Sequence, residues 1–204
     1  MNSALRNLMW IVVAAALPTT LALAQAPPQP RPRNWELGAR LAITGASRSS
    51  DPSGYSAYST FPLEGFASRR LSQGVSIQFT ARLESREVEQ TTPTTMPLGS
   101  IEFVPMNLLL HYRLSRGGWS PYVALGANAT LVWEKSGLLD AMDASPSFGP
   151  AVGIGLNKKM TDYMVWNVEF RWNTARTELS SNGVREMRLT IDPASLGVGF
   201  GVRF

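Results

Sequence analysis

Beyond an apolar N-terminal segment, the chain reads as a succession of period-two alternations. Val75, Ile77, Phe79, Ala81 and Leu83 share one face, and Ser76, Gln78, Thr80, Arg82 and Glu84 share the other. Further along, Met164, Trp166, Val168, Phe170 and Trp172 oppose Asn167, Glu169, Arg171 and Asn173. At the C-terminus Leu196, Val198, Phe200, Val202 and Phe204 oppose Gly197, Gly199, Gly201 and Arg203. A repeat of two is the signature of a strand with one apolar and one polar face. The pattern predicts eight strands, at about 34–46, 56–70, 73–87, 101–116, 119–135, 147–159, 163–179 and 187–204. The second is the weakest, because Phe61, Leu63, Gly65 and Ala67 make a poor apolar face.

The connections alternate in character. Leu71-Ser72, Arg116-Gly117-Gly118 and Met160-Thr161-Asp162 are tight, whereas Ser47–Tyr55, Val88–Ser100, Ser136–Pro146 and Ser180–Glu186 are long or polar. Short turns at one end and long loops at the other define an antiparallel up-and-down barrel. A soluble barrel with its apolar faces inward is the alternative. The narrow interior of eight strands argues against it, since Trp166, Phe170, Trp172, Phe200 and Phe204 would overfill one. Rows of glycine lie opposite the large residues (Gly149, Gly153 and Gly155; Gly197, Gly199 and Gly201). They are expected inside, leaving room for the long polar side chains of the seventh strand. The fold class is therefore all-β: an eight-stranded antiparallel up-and-down transmembrane β-barrel. Strands longer than the roughly 9–11 residues that cross the hydrocarbon imply protrusion on the loop side. Trp35, Trp119, Trp133, Tyr163, Trp166 and Trp172 suit interfacial girdles.

Residues 1–26 have the form of a signal peptide, with Arg6, an apolar run from Leu8 to Ala16, and cleavage expected after Ala24 or Ala26. Residues 27–33 are proline-rich and stiff. The barrel is expected over 34–204, in the outer membrane of a Gram-negative bacterium.

Composition narrows the chemistry. With no cysteine, the chain has no disulfide, thiolate metal site or thiol nucleophile. A single histidine, His111, argues against a metal site, and no cofactor is expected. Lys and Arg number 19 against 15 Asp and Glu, but the basic residues are dispersed, so no nucleic-acid partner is expected. Gly153-Ile154-Gly155 opens no helix and is not a phosphate loop. Leu138–Met142 predicts a helical turn that could cap the barrel, and Asp140 with Asp143 supplies too few oxygens for calcium.

Four segments resemble the OmpW family. They are Phe103-Val104-Pro105 with Leu108–Tyr112, Ser120-Pro121-Tyr122-Val123-Ala124-Leu125-Gly126, Phe148-Gly149-Pro150-Ala151-Val152-Gly153-Ile154-Gly155, and Thr190-Ile191-Asp192-Pro193 followed by Gly199–Phe204. The match runs over 34–204, dense after residue 100 and thin before it. Ala194 departs from the tryptophan frequent there, and the first two long loops differ. Phe204 resembles the terminal aromatic read by the barrel assembly machinery. The resemblance implies an eight-stranded barrel with a hydrophobic lumen that takes up small hydrophobic molecules and releases them sideways into the membrane.

If Val104, Met106, Leu108, Leu110 and Tyr112 face lipid, then Phe103, Pro105, Leu109, His111 and Arg113 face inward, and the second strand adds Pro62, Glu64 and Phe66. Phe66, Phe103, Pro105 and Leu109 are the candidate apolar lining. Arg82, Glu84, His111, Arg113, Glu169, Arg171 and Arg203 form the candidate charge network, expected nearer the turns as a plug beneath a greasy funnel. Arg40 is also expected inside. Interior charges need partners, and their basic excess would attract anions or be wetted at the periplasmic mouth.

Two functions follow: a monomeric barrel giving small hydrophobic solutes a passive route past the lipopolysaccharide leaflet, or a filled, non-transporting barrel whose loops serve adhesion or stress roles. No catalytic residue is assigned. Ser115, four positions from His111, is about 13 Å away along a strand rising about 3.3 Å per residue.

Overall fold

A computed structural model describes residues 33–45, 47–48, 55–57, 61–90, 96–114, 118–181, 184–191 and 194–204. The signal segment and residues 27–32 of the proline-rich stretch lie outside them, as does Ser115. The strands are β1 (Trp35–Thr44), β2 (Ser47–Arg48), β3 (Tyr55–Ala57), β4 (Leu63–Arg70), β5 (Val75–Arg82), β6 (Glu84–Gln90) and β7 (Met96–Arg113). After these come β8 (Trp119–Lys135), β9 (Asp143–Ala144), β10 (Ser147–Lys159), β11 (Met164–Asn173), β12 (Ala175–Ser181), β13 (Val184–Ile191) and β14 (Ala194–Arg203).

Eight of these form the wall. The order β1-β4-β5-β7-β8-β10-β11-β14 closes on itself, every pairing antiparallel, with β1 bonded to both β4 and β14. Leu37 pairs with Ala67 on one side and Val202 on the other. Closure leaves no free sheet edge, the condition for a sheet to cross a bilayer. The remaining strands extend the wall on the loop side: β2–β3–β6 continues one part, and a separate β13-β12-β9 sheet stands above β11 and β14.

Four expected strands are each two segments here. The second is β3 and β4. The seventh is β11 and β12, parted at Thr174, and the eighth is β13 and β14. The third is β5 and β6, parted at Leu83. The cause of that last break stands on the facing strand. Ala81 pairs with Met106 and Glu84 with Phe103, in one unbroken register. Between them Pro105 keeps Thr130 of β8 as partner but has none on the β5–β6 side. A proline has no N–H to give a ladder.

The faces sort as the alternation predicts. Leu41, Leu108, Leu125, Ile154, Phe170 and Phe200 are exposed on the outside, while Ser76, Thr80, Asn107, Asn128, Asn167 and Asn173 are buried inside. The ten residues of β11, tilted at about 40°, cover about 25 Å, the height of an outer-membrane apolar band. With 18 and 17 residues, β7 and β8 rise well beyond the eight of β4. Trp35, Trp119 and Tyr163 mark the turn-side rim and Trp172 the other end.

The glycine rows do lie inside, yet they make room for β1 and β8 rather than for the seventh strand. A Cβ on Gly199 would meet Arg40 Cγ at 2.5 Å, and one on Gly155 would meet Tyr122 Cε1 at 2.7 Å. Those close approaches let Arg40 and Tyr122 lie flat across the lumen.

Candidate functional site

The middle of the barrel is filled by ionised groups. Arg171 on β11 grips Glu64 on β4 with two parallel bonds, Nη1 to Oε2 at 2.7 Å and Nη2 to Oε1 at 3.1 Å. Its Nε donates to Glu169 Oε1 at 2.9 Å and its Nη1 reaches Thr80 Oγ1 at 3.2 Å. Arg171 and Thr80 stand on β11 and β5, four strands apart in the ring by either path, so this contact spans the full diameter. Arg40 joins Glu169 Oε2 (2.7 Å) and Glu64 Oε1 (3.3 Å) as an ion pair rather than through aligned hydrogen bonds. Tyr122 donates to Glu169 Oε2 at 2.6 Å and accepts from Asn167 at 3.0 Å.

A second group lies toward the loops. Arg82 Nε and Arg86 Nε donate to the two oxygens of Glu84 at 2.9 and 2.7 Å, and Thr44 Oγ1 donates to Glu84 Oε1 at 3.1 Å. Arg82 Nη1 stands 3.7 Å from Glu64 and links the two groups. Buried charges persist only when paired and hydrogen-bonded. Here Glu64 and Arg171, 3% and 2% exposed, meet that condition through shared partners.

The candidate charged residues therefore do not form one network. Arg82, Glu84, Glu169 and Arg171 belong to this central closure. His111 stacks on the Tyr122 ring (centroids 4.6 Å apart), with no hydrogen bond to either ring nitrogen among the described residues. Arg113 and Arg203 stand at the turn-side mouth, where Arg203 Nε donates to Glu36 Oε2 at 2.9 Å. Just outside that mouth, the hydrogen bond from Lys159 holds the Asp162 carboxyl below its ordinary range. The candidate charge network leaves out Glu36, Glu64 and Arg86, all buried here. Glu64 is already expected inside with Phe66, while Glu36 and Arg86 share the inward parity of Arg40 and Glu84, and that signal was available.

The apolar candidates are all buried but do not form one patch, and the arrangement of a greasy funnel above a charged plug is corrected. Phe66 is nearer its turn than Glu64 is, pairing across to Gly38 and Thr80, with Arg40 stacked 4.7 Å above its ring. Leu109 is also on the turn side, packed with Tyr122, Ala124 and Ala151. Only Phe103 lies toward the loops, clustered with Val88, Ile101 and Leu139, and with Val132 and Met142 against them. Pro105 belongs to neither cluster. The expected turn in the third long loop exists as a single 3-10 turn, Gly137–Leu139, and it drives Leu139 fully into this upper cluster. Ser100 Oγ and Ser136 Oγ, 2.8 Å apart, tie its base to β7, and Lys135 Nζ donates to the Met142 carbonyl. At the C-terminus Phe204 N donates to Trp35 O at 3.0 Å, sealing the β1–β14 seam, with its ring outward.

A closed eight-stranded barrel with an apolar exterior, tight turns at one end and long loops at the other defines an outer-membrane protein. The family model for the outer membrane protein beta-barrel domain matches residues 12–204, and the chain belongs to that family. Among solved structures it is similar to OprG from Pseudomonas aeruginosa, with TM-score 0.70 and 19% identity over 84% of this chain and 95% of that one. It is similar also to AlkL in lipid bilayers, with TM-score 0.70 and 17% identity over 90% and 97% of the two chains. The E. coli outer membrane protein W matches with TM-score 0.60 and 14% identity over 86% and 100%. The OmpW resemblance read from the sequence is thus met at the level of the fold. No curated protein matches the chain in sequence.

Proposed function

We propose that the barrel gives small hydrophobic molecules a passive route across the outer membrane, entering from the loop side and leaving sideways into the bilayer. The observation that carries this reading is the interrupted ladder at Pro105. It lies directly below the apolar cluster around Phe103 and at the level of Arg82, where the ionic closure begins. A solute held against Phe103 has charges beneath it and, beside it, a stretch of wall with fewer hydrogen bonds to break.

Replacing Pro105 by valine tests the exit. It supplies an N–H to the β5–β6 side, so each opening breaks one more bond of about 0.5–1.5 kcal/mol, and transfer of a hydrophobic dye into proteoliposome lipid should slow about two- to tenfold. Transfer at the unchanged rate would rule out this exit.

The occupied lumen also supports a second reading, a non-transporting barrel that presents its loops for surface interactions. Under that reading no lumen substitution alters dye transfer. In either reading Phe204 serves as the assembly signal, and lipopolysaccharide surrounds a single barrel.

A further inference from the structure

We propose that the turn-side mouth of the barrel is a binding site for an oxyanion of the phosphate class, approached from the periplasm. A recess there is lined by Arg33, Arg70, Arg113 and Arg203, with Glu36 and Ser68. Four guanidinium groups face one carboxylate, leaving three positive charges. Arg203 is the one that neutralises Glu36. Arg33 donates to the Asp162 carbonyl at 3.0 Å and lies 3.8 Å above the Tyr163 ring, which fixes its direction without cancelling its charge. The Asp162 carboxylate itself is taken by Lys159 at 2.7 Å. Arg113 is the decisive residue. It projects inward from the end of β7, its Nε is buried, and that nitrogen has no hydrogen-bond partner among the described residues.

A buried guanidinium N–H without an acceptor is costly, and a cluster of arginines without enough carboxylates repels itself. One tetrahedral oxyanion removes both penalties, because its oxygens accept from several guanidinium groups at once and its charge of about −1.5 to −2 offsets most of the excess. The Ser68 hydroxyl, on the same lining, supplies a neutral donor. The site is independent of the hydrophobic route, since it lies on the opposite side of the ionic closure. Phosphate oxygens reach it from two sources, a free anion in the periplasm or the headgroup of an inner-leaflet phospholipid at the rim.

The test is a titration of the refolded protein with inorganic phosphate at constant ionic strength, in nanodiscs of a galactolipid whose headgroup carries no phosphate, following the arginine Nε–H signals by NMR. A saturable shift of Arg113 and Arg70, weakened about tenfold in Arg113→Gln, supports the site, since a charge-assisted hydrogen bond of this kind is worth about a decade in affinity. If Arg113→Gln does not fold, Arg70→Gln, at an exposed position, is read in its place. Signals already shifted in discs containing phosphatidylglycerol, and then insensitive to added phosphate, identify the lipid headgroup as occupant. Equal response in both discs identifies the free anion. No saturable shift in either disc, or the same affinity in the variant that folds, overturns the proposal.

Discussion

Arg171→Met should lower the unfolding free energy of the barrel by about 3–5 kcal/mol, because it takes the aligned hydrogen-bond donor from two buried carboxylates at once. Glu64 loses its bidentate partner and Glu169 loses the donor on Oε1. Arg40 and Arg82 remain nearby, at 3.3 and 3.7 Å from Glu64, and cannot replace two aligned bonds. Urea unfolding in detergent micelles reads the loss. Adding Glu64→Gln to Arg171→Met should recover a substantial part, since a neutral amide has far less to lose by burial than an unpaired carboxylate. A loss below about 1 kcal/mol is the size of an exposed ion pair and would place Arg171 in water rather than in a closed network.

Phe103→Asp should reduce transfer of a hydrophobic dye by about tenfold or more. The ring offers a solute apolar surface that is worth about 1.5–3 kcal/mol for a side chain of that size, which converts to one or two decades. Arg86 already lies 5.7 Å from the ring centre, so the new carboxylate has a partner and the barrel should still fold. Leu109→Asn is the matched comparison. Leu109 is equally buried but lies further along β7 toward the turns and packs against Tyr122, itself a member of the ionic closure, so its substitution should leave transfer unchanged. Dye measurements in proteoliposomes separate the two. Equal loss in both variants would mean the solute traverses the whole lumen.

Those two residues show what the sequence could and could not tell. Alternation alone placed Phe103 and Leu109 on the inside, as it placed Arg82 and Arg171. Side-chain parity is a property of one strand, and a single run of residues carries it. Height in the barrel is different. It depends on the stagger between neighbouring strands, which the loops and the barrel's shear set together. Phe66 and Phe103 therefore looked equivalent in the sequence, yet they lie on opposite sides of the charges. Partners across the lumen are further out of reach. Arg171 meets Thr80 across 91 positions of chain, and no local pattern links them. The glycine rows were legible as space, but not as space for Arg40 and Tyr122, because that requires the register of β14 against β1 and of β10 against β8. The break at Pro105 was legible in principle. The proline stands in plain sight, and only the register, which decides which neighbour its absent N–H would face, was missing.

The central claim is that charge closes the lumen at mid-height, so that polar solutes cannot follow the barrel axis while a hydrophobic solute leaves through the wall. Conductance of the refolded protein in a planar bilayer addresses this most directly. The account predicts no steady ion conductance from a folded wild-type barrel that still passes a hydrophobic dye into lipid. A stable, discrete conductance in the wild-type protein would contradict it, showing that water and ions run past Arg171 and Glu64 from one mouth to the other.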